Sequence, residues 1–178
     1  MKKQPADVWV TWEEYHRLIE LLAVQVHDSG WQFDHILCLA RGGLRIGDVF
    51  SRLFKLPLSI LSVSSYRGET GRDQEQLLIG PAIASVTGQL KGKMLLIDDL
   101  VDTGLSFKEV QGWIATHHPD VTDVKTAVIW AKSGSQVRPD YFVHDVQGSP
   151  WIHQPFEAYE DMSIEDLKLN LKSKLKSK

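Results

Sequence analysis

At 178 residues, with 43% hydrophobic and 24% charged side chains, the chain has the length and composition of one globular domain able to bury a sizeable core. A formal net charge of −3 speaks against bulk nucleic-acid binding, which draws on a basic surface. A single cysteine, Cys38, excludes an intrachain disulfide; no apolar run approaches a membrane span, and Met1-Lys2-Lys3-Gln4-Pro5 lacks the apolar region of a signal peptide, so a reducing cytoplasm is expected.

Thr11-Trp12-Glu13-Glu14 has the pattern of a capping box, and Tyr15, Leu18, Ile19, Leu22 and Val26 follow at helical spacing up to a stop at Gly30. His16 and His27 read as surface histidines of this helix. His35-Ile36-Leu37-Cys38-Leu39 is the first core strand, and Cys38 within it reads as a small buried hydrophobe. The strand runs into Ala40-Arg41-Gly42-Gly43 and then a helix carrying Leu44, Val49, Phe50, Leu53 and Phe54. Glycines at a strand-to-helix turn let the backbone approach an anion, and Arg41 adds fixed charge in a bidentate fork; an ordinary turn would use the same residues.

A second strand covers 58–66, and the polar, glycine-bearing stretch up to Gly80 breaks the α/β rhythm with the composition of a mobile lid. Arg72 on that stretch is either a clamp for a diphosphate or a solvated loop residue. After a turn through Gly88 and Gly92 comes the stretch around which the chain is organised, 94–106. Met94-Leu95-Leu96-Ile97 is too short for a typical helix and reads as a strand buried on both faces. At its end stand Asp98 and Asp99, then Asp102, Thr103, Gly104, Leu105 and Ser106, where the sequence turns helical. Carboxylates accept hydrogen bonds from hydroxyls, while turn amides and the positive end of a helix dipole hold phosphate. The junction therefore suits a ligand that is both hydroxylated and phosphorylated.

The next helix carries Phe107, Val110, Trp113 and Ile114, and ends near His117-His118-Pro119-Asp120; adjacent histidines there read as a helix terminus rather than a metal site. Strands follow at 124–130, leading to Ala131-Lys132-Ser133-Gly134, and at 141–145. Trp151, in a Pro-bounded aromatic segment from Ser149 to Glu157, is either simply buried or offers a flat face to a flat ligand. From Asp161 the chain changes character, and 167–178 is rich in Leu, Lys and Ser; Ile164, Leu167 and Leu171 could line an amphipathic helix docked on the core or a neighbour, but a solvated, fraying tail is the favoured reading.

The strand, Asp98-Asp99, the Asp102-Thr103-Gly104 turn and Ser106 together resemble the phosphoribosyl-diphosphate (PRPP) motif of type I phosphoribosyltransferases, with Leu105 where many relatives carry Gly or Lys. Ser64-Ser65-Tyr66 with Arg72, Ala131-Lys132, Arg138-Pro139, Asp140-Tyr141 and Trp151-Ile152-x-Gln154-Pro155 extend the resemblance, over about residues 8–160, to the short bacterial xanthine-guanine enzymes of that family. It implies an α/β fold with a central, mostly parallel sheet flanked by helices and a small C-terminal hood. The domain would span 1–160, with a lid loop at about 66–80, the hood at about 145–160, and a basic tail at 161–178.

The implied activity is Mg2+-dependent purine salvage. The 5-phosphoribosyl group of PRPP passes to N9 of a 6-oxopurine (guanine, xanthine or hypoxanthine), giving a nucleoside 5′-monophosphate and pyrophosphate. By resemblance PRPP is held by Arg41, Gly42, Gly43, Asp98, Asp99, Asp102, Thr103, Gly104, Leu105 and Ser106, with Mg2+ on Asp98 and Asp99. Asp102 acts as general base and Arg72 on the pyrophosphate; Lys132 binds the 6-oxo group, Trp151 stacks on the purine and the backbone of Ile152 reads the ring edge. The departures are His153, where such an enzyme carries an acidic residue beside the purine 2-substituent, and Arg45-Ile46 after the glycine turn. The resemblance further implies a homodimer or homotetramer without a nucleic-acid partner or integral membrane segment. Transfer to another base, and a non-catalytic PRPP-sensing regulator of the same fold, are the alternatives.

Overall fold

A computed structural model of the chain describes residues 6–66, 76–148 and 150–176. By density of internal contacts these fall into two compact units, one of residues 18–149 and one joining the first 17 residues to 150–178.

The larger unit is built on a sheet of β2 (His35–Ala40), β3 (Leu58–Tyr66), β4 (Gln76–Ile79), β5 (Gly92–Ile97), β6 (Leu100–Val101), β7 (Val121–Lys132) and β8 (Tyr141–Val146). Its order is β4-β3-β2-β5-β7, with β6 and β8 also on β7, and every pairing is parallel except β3 with β4. The sequence requires such burial: β2 and the second half of β5 are apolar at successive positions, and both faces are covered. Leu37, Leu39, Met94, Leu96 and Val128 pack with Phe107, Val110 and Ile114 of helix α3 (Leu105–His117). On the opposite face, Cys38 lies against Gly47 of helix α2 (Leu44–Phe54), where a side chain on Gly47 would strike the sulfur. Cys38 is fully buried, and that burial, followed by the charge of Asp98, pushes its thiol up to about 12.

The chain passes from β2 to β3 on one side and returns to β5 on the other side of β2. Such a reversal opens a crevice at the carboxyl ends of the two strands. Both strand-to-helix turns singled out in the sequence, at Arg41 and at Asp98, lie at those ends.

The smaller unit pairs β1 (Val8–Trp9) in parallel with β9 (Ile152–His153). Helix α1 (Trp12–Asp28) begins in it with the expected cap, Thr11 Oγ1 accepting from the amide of Glu14 at 3.1 Å, and Gly30 beyond its end takes φ +71°. Tyr15 is buried with its ring edge-on to Phe156, centroids 5.6 Å apart. The tail differs from the expected fraying coil: 164–176 form helix α4, begun by a Ser163–Asp166 capping pair at 2.6 Å. Ile164, Leu169, Leu171 and Leu175 stay exposed on it, so its turns rest on local capping and helix-forming Leu and Lys. No helix of the described residues is long and apolar enough to cross a membrane.

Candidate active site

The acidic pair occupies the break between β5 and β6, which pair in succession along the same side of β7. Ala127 pairs with Ile97 on one side and Tyr141 on the other, and Trp130 and Ala131 then take β6 on the side that β5 has left. Asp98 and Asp99 are the two residues between. Their backbones stay anchored: Asp98 N–H donates to Ala127 O at 3.2 Å, and Asp99 O accepts from Ile129 and Trp130 at 3.0 and 3.2 Å. With the backbone held, both carboxyls project at the strand end. β6 was not expected from sequence, because two residues carry no periodicity.

Burial, and then the neighbouring charge of Asp99, holds the carboxyl of Asp98 well above the ordinary carboxylate range, although it accepts the amide of Asp99 at 2.9 Å. The arginine-glycine turn reaches this pair. A Cβ on Gly42 would stand 2.5 Å from Asp99 Oδ1 and 2.6 Å from Asp98 Oδ1, and one on Gly43 would strike the carbonyl of Ile97. Two segments more than fifty residues apart thus form one surface, and glycine is required where they touch. The Ala40–Arg41 peptide bond is cis, and Arg41 is exposed.

A cleft of ≈ 270 Å³ follows the chain from Asp98 to Phe107, with Leu77 on its far wall. Gly104 begins α3 at φ +83°, and Ser135 Oγ would stand 2.7 Å from a Cβ there, so both conformation and space exclude a side chain. Thr103 Oγ1 accepts the amide of Leu105 at 3.3 Å, shaping the turn, and the residues that open α3 line the cleft.

A second cleft, ≈ 150 Å³, shares Asp102 and Thr103 with the first and adds Lys132, Gly134 and Gln136. Lys132 ends β7, is 8% exposed, and its Nζ lies 3.0 Å from Asp102 Oδ2. The loop after Lys132 is tied to the acidic turn by Gln136 N–H donating to Thr103 O at 3.0 Å. The structure therefore brings together Arg41, Gly42, Gly43, Asp98, Asp99, Asp102, Thr103, Gly104, Leu105, Ser106 and Lys132 at the strand ends of one unit. Gln136 was missed in the sequence, where a glutamine in a loop carries no signal.

Two other segments of the motif have structural work. Asp140 Oδ2 accepts the amide and hydroxyl of Thr126 at 2.8 and 2.9 Å, fixing the start of β8. Arg138 forks onto Asp145 at 2.8 and 3.2 Å and covers the Phe142 ring, lowering the Asp145 carboxyl through those hydrogen bonds. His117 ends α3 with its Nδ1 2.9 Å from Trp113 O, a helix terminus as expected.

Trp151 and Ile152 belong to the smaller unit. Trp151 is 60% exposed, so the burial alternative does not describe it. Val8 and Val10 donate to the carbonyls of Trp151 and His153 at 2.8 and 3.0 Å; the pleat therefore turns the amide and carbonyl of Ile152 away from β1. Arg72 lies outside the described residues. Among the described residues no cluster of three or more His, Cys, Asp or Glu side chains could hold a metal by itself. The Asp98–Asp99 pair does fit a hard cation: it offers carboxylate oxygens, and its mutual repulsion is what a positive ion relieves.

A family model described as the phosphoribosyl transferase domain matches residues 11–161. A xanthine-guanine phosphoribosyltransferase of Nitratidesulfovibrio vulgaris is 31% identical over 150 residues, covering 84% of this chain and 83% of that protein. One of Gluconobacter oxydans is 29% identical over the same shares. Among solved structures, a purine phosphoribosyltransferase from Pyrococcus horikoshii aligns with a TM-score of 0.69 at 28% identity, covering 85% of this chain and 94% of that one.

Proposed function

The chain belongs to the phosphoribosyltransferase family, and from that premise we propose that it transfers the 5-phosphoribosyl group of PRPP to N9 of a 6-oxopurine, releasing pyrophosphate, as a purine-salvage enzyme. The observation that carries the choice of base is the Asp102–Lys132 pair at the junction of the two clefts. A 6-oxopurine presents, on neighbouring atoms of one edge, the oxygen O6 that accepts and an N7–H that donates. Lys132 Nζ and Asp102 Oδ2, 3.0 Å apart, offer the complementary donor and acceptor. A base held on that edge faces the sugar site, because Asp102 lines both clefts.

The chemistry follows from the charges. The bond from C1′ to the pyrophosphate oxygen breaks as the lone pair of N9 forms the new C1′–N9 bond, and Asp102 takes the N7 proton as N9 attacks. Asp98 and Asp99 hold the ribose hydroxyls, the turn from Asp102 to Ser106 holds the 5′-phosphate, and Arg41 with Gly42 and Gly43 holds the pyrophosphate, assisted by Arg72. Lys132 withdraws charge from O6, and Trp151 supplies a π face with the backbone of Ile152 at the ring edge. Asp98 and Asp99 would also hold Mg2+, which when bound neutralises phosphate charge.

The test is a base panel. Purified protein with PRPP and Mg2+ is given guanine, xanthine, hypoxanthine, adenine, uracil and orotate, and pyrophosphate release is followed. At least one 6-oxopurine is expected to turn over, and the pyrimidines are not. Turnover of a pyrimidine alone, or of no base while PRPP binds, overturns the proposal.

A further inference from the structure

Trp151 is an exposed residue whose two N–H donors are both held by carboxylates of its own unit. Its ring Nε1–H donates to Glu157 Oε2 at 3.1 Å, and its backbone N–H donates to Asp7 Oδ1 at 3.2 Å. The same two carboxylates flank His153, whose Nε2 lies 3.4 Å from Asp7 Oδ2 and whose Nδ1 lies 3.8 Å from Glu157 Oε2. Trp9 closes the arrangement from β1, stacked on the imidazole with centroids 3.7 Å apart and planes 13° from parallel. Glu157 stands in a short 3-10 turn, 157–159, whose first amide bonds back to Gln154 O at 3.0 Å. The carboxylate is thus delivered by a backbone tied to the same segment as the tryptophan.

An exposed tryptophan ordinarily samples several χ1 and χ2 settings, and a planar ligand must freeze one of them on binding. A hydrogen bond at Nε1 fixes the ring plane before the ligand arrives while leaving both faces accessible. Glu157 is 28% exposed, partly withdrawn from water, where a bond from a neutral donor to a charged acceptor keeps more of its strength. We propose that Glu157 is the positioning residue that pre-orients the Trp151 ring for stacking on the base, and that Asp7, just before β1, and Trp9 within it brace the peptide and the neighbouring histidine. The inference rests on the proposed role of Trp151. It assigns a task in base recognition to a carboxylate that touches no substrate and to the N-terminal strand.

Steady-state kinetics on the full chain, with the base and PRPP varied separately, test it. Glu157→Ala is expected to raise KM for the base about 3- to 10-fold, the scale of one hydrogen bond, with kcat and KM for PRPP unchanged. Glu157→Gln, which keeps an acceptor oxygen, is expected to restore most of that loss. Trp151→Phe, which keeps a stacking ring and removes the indole N–H, is expected to match Glu157→Ala, and the double variant to be no worse than either single one. Additive effects in the double variant, or an unchanged base KM in Glu157→Ala beside a raised one in Trp151→Ala, overturn the positioning role and leave the stacking role standing. An unchanged base KM in Trp151→Ala removes the stacking role itself. Circular dichroism of each variant identifies unfolding; an unfolded Glu157→Ala is replaced by Glu157→Ser and an unfolded Trp151→Ala by Trp151→Leu, under the same criteria.

Discussion

The two strand-to-helix turns of the crevice reach the same place by different means. The turn after β2 is shaped by exclusion. Gly42 and Gly43 are there because the aspartates and the Ile97 carbonyl leave no room for a Cβ, and its one long side chain, Arg41, faces solvent. The turn after β5 is shaped by what it presents: two carboxyls at the break between β5 and β6, a third lining a second cleft, and a helix start opened by Gly104. The first supplies closeness and positive charge, and the second supplies negative charge, a helix start and, in the proposed reaction, the base. The phosphorylated sugar of the proposed reaction needs both, and they meet because β2 and β5 are neighbours at the point where strand order reverses.

The comparison breaks first at Asp102, to which the proposed reaction gives a chemical task rather than one of shape. Asp102→Asn is expected to lower kcat by ~10²–10⁴-fold while PRPP binding survives in isothermal titration; binding lost along with turnover would make the residue structural. One step away, Lys132→Ala is expected to raise KM for the base by ~10–100-fold, the worth of a charged hydrogen bond. An unchanged KM removes Lys132 from base recognition. The β2 turn should respond to volume instead. In Gly43→Ala the added methyl meets the Ile97 carbonyl, so a loss of about 1–3 kcal/mol is expected in urea unfolding. Gly112→Ala, in α3 with nothing within 4 Å of the added carbon, is the control and should gain up to ~1 kcal/mol. Smallest of all is the response of Cys38 to iodoacetamide. With its thiol pushed up to about 12, the thiolate is scarce at pH 8, so alkylation is expected to await unfolding in urea.

Much of the local structure was legible in order along the chain. The cap at Thr11, the strand beginning at His35, the Arg41-Gly42-Gly43 turn and the start of α3 lie where capping, apolar runs and glycines put them. β7 runs longer than its apolar stretch because the sheet extends it at both ends, through Gly92–Val121 and Lys132–Val146 pairing. The tail helix was underestimated, since Ser163 and Asp166 make a cap that its sparse apolar positions do not announce.

By itself, the sequence determined the local instructions: which segments are buried strands, where helices start, and that an acidic turn opens a helix among glycines. Those follow from nearest neighbours along the chain, where periodicity and capping act. Only the tertiary structure decided that Gly42 touches Asp98 and Asp99, that Lys132 pairs with Asp102 across 30 positions, and that Asp7 and Trp9 brace residues more than 140 positions away. Such contacts depend on strand order and register, which are set by how whole faces bury against one another and leave no mark on any short stretch of residues.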